Sequence, residues 1–259
     1  MKKLRKYGNT PFNIAVIHGG PGGAGEVAPV AEELSTNHGI LEPFQQSQSI
    51  EGQVKELAEI LKKNASFPVT LIGYSWGTWL SLIFAANYPQ LVKKLILIGT
   101  PPLKPLFGNK IMKTRLSRLT DEEQAKYTTL ISQFNSSTKE KNHLMKQLHH
   151  LILKTDSFAP TTSEDHIVDY NYEIFEKVWS QASDWRKKVK LLEVAKKIQC
   201  PVVAIHGDYD PHPAEETKKP LTQLLKNFKF ILLEKCGHSP WIEKYAKDAF
   251  YATLKRELD

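Results

Sequence analysis

Ser75 stands at the centre of Gly73-Tyr74-Ser75-Trp76-Gly77, a G-x-S-x-G run preceded by the β-branched stretch Pro68 to Ile72 and followed by Thr78 to Asn87, which is apolar almost all round. A hydroxyl at a sharp strand-to-helix turn is raised above its sheet beside a helix N-terminus, where developing negative charge is favoured. The pentapeptide alone suits an ordinary serine cap after a glycine turn equally well, so its meaning depends on what else reaches the same place. A serine hydroxyl becomes a nucleophile when a base takes its proton, and the base needs a third group to fix its tautomer. His238, in Cys236-Gly237-His238-Ser239-Pro240, follows the last predicted strand, and Asp210, in His206-Gly207-Asp208-Tyr209-Asp210-Pro211, follows the strand before it. The loops after parallel strands leave by one sheet edge, and the order Ser…Asp…His then brings a nucleophile, an orienting acid and a base together. Asp208 competes for the acid's place. Asp210 is favoured because it lies farther beyond its strand, whereas Asp208 is expected to stabilise its own turn.

Attack on a carbonyl creates an oxyanion that needs at least two aimed donors. One is the backbone N–H of Trp76, directly after the serine. The other is expected from His18-Gly19-Gly20-Pro21-Gly22-Gly23 after the first apolar strand, at the N–H of Gly20, with His18 tying the loop to the fold. The rival reading of this loop is phosphate binding, but no G-K-[ST] follows and the glycine spacing is not G-x-G-x-x-G. Phe44 and Tyr74 lie nearest the predicted mouth and are pocket candidates. Trp179 and Trp185, with Trp241, either line the pocket or belong to the core. His149-His150, with His143 and His166, has no cysteine partner, and adjacent histidines leave a helix in different directions, so no metal and no cofactor are expected.

The elements that must position these groups are legible from periodicity. Phe12 to Ile17, Gly39 to Phe44, Pro68 to Ile72, Lys94 to Ile98, Pro201 to Ile205 and Phe228 to Leu233 read as strands. Helices are predicted over Ala24–Leu34, Ser49–Lys63, Thr78–Asn87, Pro213–Asn227 and Trp241–Leu258. Strands alternating with helices imply an α/β fold with a mostly parallel sheet covered on both faces. From Thr100-Pro101-Pro102 to about Lys190 the texture turns polar and helical, with no strand-like run, and helices are expected near Thr120, over Asn142–Leu153 and over His166–Trp179. The domain reading is a core of 1–103 and 191–259 with a helical lid, 104–190, inserted over the sheet edge where such folds bind ligands.

Composition narrows the function classes. Of 259 residues, 41% are hydrophobic and 24% charged, enough to build a core and too balanced for a disordered chain. The net charge of +7 invites a nucleic-acid reading, but the lysines and arginines are scattered in short groups with no recognition motif, so no nucleic-acid partner is expected. No apolar run reaches membrane-spanning length, and Tyr7 to Pro11 interrupts any secretory signal after the basic N-terminus. A cytoplasmic protein with no membrane partner is expected. Cys200 and Cys236 are expected to be reduced, structural thiols.

HGGPGG at 18–23 together with GYSWG at 73–77 resembles the α/β-hydrolase superfamily, and within it the prolyl iminopeptidase branch, over nearly the full chain. The resemblance implies nucleophile Ser75, acid Asp210, base His238 and oxyanion donors Gly20 and Trp76. The implied activity is a serine hydrolase acting through an acyl-enzyme on a small-molecule or short-peptide ester or amide, with N-terminal proline aminopeptidase as one form. A carboxylesterase, thioesterase or lactonase of the same fold, or a non-catalytic ligand-binding member, are the alternatives. The chain departs from the branch at Leu41–Ser47, where a D-x-R-G-x-G-x-S segment is usual, and with only about ten residues before Phe12 the two leading strands of the fuller fold are expected to be largely missing. The branch is expected to hold the substrate's amine with lid carboxylates. Asp156, Glu164, Asp165, Asp169, Glu173 and Glu176 are available, though solvated helix faces account for them equally well.

Overall fold

The structure, a computed structural model, describes residues 3–105, 109–136, 140–162, 166–167 and 169–259. In chain order the elements are β1 (Leu4–Tyr7), β2 (Phe12–Ile17), β3 (Gly23–Ala24), α1 (Ala28–Leu34), β4 (Gly39–Pro43), α2 (Ile50–Asn64), β5 (Val69–Tyr74), α3 (Trp76–Asn87) and β6 (Val92–Ile98). The helices α4 (Lys110–Ser117), α5 (Asp121–Ser136) and α6 (Lys141–Asp156) follow, then β7 (Asp169–Tyr170), α7 (Tyr172–Lys187) and α8 (Lys190–Ala195). β8 (Val202–Gly207), α9 (Ala214–Leu224), β9 (Phe228–Leu233) and α10 (Lys247–Leu258) complete the chain. The main sheet has the order β1-β4-β2-β5-β6-β8-β9, parallel except for β1.

The period of two in the strands sorts their side chains into two cores. Ala15, Ile17, Leu71, Leu95 and Leu97 pack on one face with α2, α3, α8 and α9. Ile14, Val16, Ile72, Ile96 and Ile98 pack on the other with α1 and α10. Because β5 is buried along its whole length, it is apolar on both faces, as a central parallel strand must be. In α2 the face Ile50, Val54, Leu57 and Leu61 is buried, and the Ser49 hydroxyl caps the helix by accepting the Gly52 N–H at 3.0 Å. α3 is buried nearly all round, with Trp79, Leu80, Leu82 and Phe84 each at most 1% exposed.

Several expectations are corrected. A leading strand is present: β1 pairs antiparallel with β4, and its Tyr7 hydroxyl donates to the buried Glu42 at 2.7 Å. Leu-Arg-Lys-Tyr carries no apolar signal because an edge strand tolerates charge. The first helix starts at Ala28 rather than Ala24, since Gly23 and Ala24 form β3, which pairs with β7 inside the segment expected to lack strands. The final helix starts at Lys247, after a 3-10 turn at Pro240–Ile242. The helix expected from His166 begins at Tyr172, where the Asn171 side chain accepts the Ile174 N–H at 3.1 Å.

Candidate active site

Ser75 sits between β5 and α3 with φ 49° and ψ −115°, a positive-φ conformation that an L-residue adopts at a cost of about 1–3 kcal/mol and keeps only when its surroundings hold it. Those surroundings are tight. The Ser75 N–H donates to Ile98 O at 2.9 Å, and a Cβ on Gly77 would lie 2.3 Å from Ile17 O. Trp76 opens α3, so its N–H has no intrahelical acceptor. Its indole turns away and donates to Gln53 Oε1 at 3.0 Å. A cavity of about 280 Å³ opens above the serine. Gly20, Pro21, Tyr74, Ser75, Trp76 and Pro101 line it from the sheet side, with His212 and His238 from the loops after β8 and β9. Arg115, His149, Ile152, Leu153, Asp156, Phe175 and Trp179 line it from the helices between β6 and β8. Open space lies where a Gly20 side chain would project.

His238 Nδ1 lies 2.6 Å from Asp210 Oδ2. An ionised carboxylate only accepts, so the proton is assigned to Nδ1 and the lone pair to Nε2. Burial disfavours charge on Asp210, but the imidazoles of His238, His212 and His206 outweigh it and hold its pKa well below the usual carboxylate range. Burial also opposes an imidazolium at His238, and the Asp210 carboxylate outweighs that, so the His238 pKa is raised. Three contacts set the ring's place. It lies 5.0 Å, centroid to centroid, from Tyr74, whose hydroxyl is 2.7 Å from Ser239 Oγ. It rests on Gly99, at φ +57°, where a Cβ would come within 2.8 Å of Nδ1. The His238 N–H donates to Asp156 O at 2.7 Å.

Asp208 is not confined to its own turn: its Oδ1 accepts the Cys236 N–H at 3.1 Å and so joins the loop after β8 to the loop after β9. Buried Glu243 accepts the N–H groups of Gly237, Phe158 and Ala159, each at 2.8 Å, tying the His238 loop to the chain beyond α6. The His18 Nδ1–H donates to Gly19 O at 2.7 Å, and Nε2 accepts the Gln45 N–H at 3.4 Å, which holds the glycine loop to the chain after β4.

The four pocket candidates separate. Tyr74 and Trp179 line the cavity, the latter stacked on Trp79 at 5.9 Å. Phe44 and Trp185 do not. Phe44 is buried beneath the Arg5 guanidinium of β1, the strand that sequence reading missed. Trp185 packs against the core with Lys190 over its ring. Of the acidic residues, Asp156 lines the cavity, but Arg115 Nε and Nη2 hold its oxygens at 2.8 and 2.5 Å. Asp169 lies in β7, Glu173 pairs with Lys177 and Glu176 accepts from the Tyr172 hydroxyl. Glu164 and Asp165 lie outside the described residues. Glu26, His212 and Arg115 are cavity residues that sequence reading did not single out. For His212 a signal existed, since a loop residue two positions after the acid stays beside it. Among the described residues, Asp210, His212 and His238 bring one ligand atom each within 4.8 Å of the others, a spacing open to a metal. Both imidazole Nδ1 atoms already face Asp210, one on each carboxylate oxygen, so the two hydrogen bonds by themselves account for the closeness of the three groups. Cys200 and Cys236 are free thiols, and burial pushes Cys200 up to about 11. Among the described residues no helix is long and apolar enough to cross a membrane.

The family described as alpha/beta hydrolase fold matches residues 47–245. Monoacylglycerol lipase ABHD6 of Bos taurus is 27% identical over 204 residues, which cover 78% of this chain and 59% of that protein. Proline iminopeptidase of Lactobacillus helveticus is 26% identical over 288 residues, covering 95% of this chain and 89% of that one. Among solved structures, VinJ superposes with a TM-score of 0.68 at 17% identity, over 98% of this chain and 93% of that one. The enol-lactonase from Burkholderia xenovorans LB400 does so with 0.64 at 16%, over 98% and 95%. At these identities the structural likenesses speak for the fold alone.

Proposed function

The chain belongs to the α/β-hydrolase family, and from that premise we propose that it is a serine hydrolase acting through an acyl-enzyme on a small ester or amide. The observation that carries this reading is the 2.6 Å contact of His238 Nδ1 with Asp210 Oδ2 beside a cavity that both His238 and the positive-φ Ser75 line. His238 Nε2 takes the Ser75 hydroxyl proton as Oγ attacks the carbonyl carbon. The oxyanion forms against the N–H groups of Gly20 and Trp76. As the intermediate collapses, His238 returns the proton to the leaving alcohol or amine. Water, activated by the same imidazole, then hydrolyses the Ser75 ester and restores the hydroxyl. Asp210 stays ionised and stabilises the imidazolium at each step.

The volume of about 280 Å³ lies just below the roughly 300–1,000 Å³ of ordinary ligand pockets, and suits a short acyl or single aminoacyl group beside the stacked rings of Phe175 and Trp179. The narrower reading as an N-terminal proline aminopeptidase draws on the iminopeptidase relatives and on the carboxylates of Glu26 and Asp156 at the cavity. The Arg115 guanidinium engages both Asp156 oxygens, which favours the broader ester-or-amide reading. The test is a panel of short acyl esters and aminoacyl amides, with fluorophosphonate labelling, on wild type and Ser75→Ala. Wild type is expected to label and to turn over short esters. Ser75→Ala should not label and should lose about 10⁶-fold in kcat. A folded wild type that neither labels nor turns over any member overturns the reading, and turnover of proline amides alone selects the aminopeptidase form.

A further inference from the structure

Asp210 serves two imidazoles, and the reaction above uses one of them. While Oδ2 meets His238, Oδ1 accepts both the backbone N–H of His212 at 2.9 Å and that residue's ring Nδ1–H at 2.7 Å. The His212 ring is buried, lies 4.6 Å from the His238 ring centroid to centroid, and lines the same cavity. Two donors from one residue at a single carboxylate oxygen act as a chelate. His238 holds Oδ2 and the His212 backbone N–H holds Oδ1, and the ring N–H adds a second donor on Oδ1 that stiffens the carboxylate plane.

An alternative partner is close by. His206 Nε2 lies 3.5 Å from Asp210 Oδ2 while donating to His212 O at 2.7 Å. Without the ring of His212, Oδ1 keeps only the backbone N–H, and Oδ2 has His206 Nε2 as a competitor to His238 once the His206 ring's bond to the His212 carbonyl loosens. We propose that His212 is a positioning residue for hydrolysis, its Nδ1–H locking the Asp210 carboxylate so that Oδ2 stays aimed at His238 Nδ1. This rests on Ser75, His238 and Asp210 being the reacting set. Burial holds the His212 pKa below that of ordinary imidazole despite Asp210, so the ring is neutral and its one proton is committed to the carboxylate.

Asparagine and leucine have nearly the same shape, but only asparagine presents an N–H where Nδ1 stands. His212→Leu is expected to lower kcat for p-nitrophenyl acetate, and the fluorophosphonate labelling rate of Ser75, by about 10- to 100-fold, the loss of one hydrogen bond to a charged group, with KM within about threefold. His212→Asn should regain most of that rate. Proton NMR gives a second readout if the leucine variant fails to fold: His212→Asn should lose one low-field imidazole N–H resonance and leave that of His238 in place. A leucine variant within twofold of wild type, an asparagine variant as slow as the leucine one, a shifted His238 resonance in His212→Asn, or an effect confined to KM each overturns the role. A wild type that neither labels nor hydrolyses the ester overturns the hydrolase reading and the role of His212 with it. Wild-type labelling with unaffected variants overturns the role of His212 alone.

Discussion

At His238 burial and a neighbouring carboxylate oppose each other, and the carboxylate wins, leaving the pKa above the ordinary 6.5. With His238 as the proposed base, the active form is the neutral ring, so kcat/KM for a short ester is expected to fall on acidification with a midpoint above pH 6.5, read from a pH–rate profile. Asp210 titrates well below this range and adds no limb there. The residues of this cluster differ in how far the sequence betrays them. Ser75, Asp210 and His238 each lie just beyond an apolar strand, and parallel strands send the loops that follow them out by one sheet edge. Gly20 and Trp76 line the cavity, and the part proposed for them is played by backbone N–H groups, which a position in the chain can mark without any side-chain signal. Phe44 misleads, because chain proximity to the mouth says nothing of which way a ring turns. Glu26 and Arg115 are silent because charge in a sequence looks the same in solvent and in a cavity.

Elements hold these residues through few, specific joints. Glu243, in the turn before α10, joins the His238 loop to residues 158 and 159 by accepting three backbone N–H groups. Glu243→Gln keeps the size but turns amide hydrogens toward donors that need an acceptor. It is expected to cost about 3 kcal/mol, seen as a lowered urea midpoint with unchanged slope, and to slow the ester reaction through the loosened loop. The long apolar strands and α2 were readable because periodicity and burial agree along them. β1, β3 and β7 were not: a charged edge strand and two pairs of residues are too short to carry a period, and only tertiary pairing makes them strands. Helix starts erred for a related reason, since the chain at Gly23–Ala24 and at Asp169–Tyr170 is taken up in sheet pairing before the helix begins.

For the molecule as a whole, the buried His18 couples stability to acid. Burial lowers its pKa from 6.5 to about 4, so between those values the unfolded chain binds a proton that the native chain does not. Stability therefore falls as pH falls through this window, by about 3 kcal/mol at pH 4 from this one group. Denaturant titrations across the window should show this loss, and His18→Asn should flatten it. The same ring anchors the loop that ends in β3, and β3 is paired with β7: Gly23 faces Tyr170, Ala24 faces Asp169, and Asn171 N–H donates to Gly22 O at 3.0 Å. The glycine loop and the helical cover of the cavity are thus stitched edge to edge through backbone, so that neither can be displaced without straining the other.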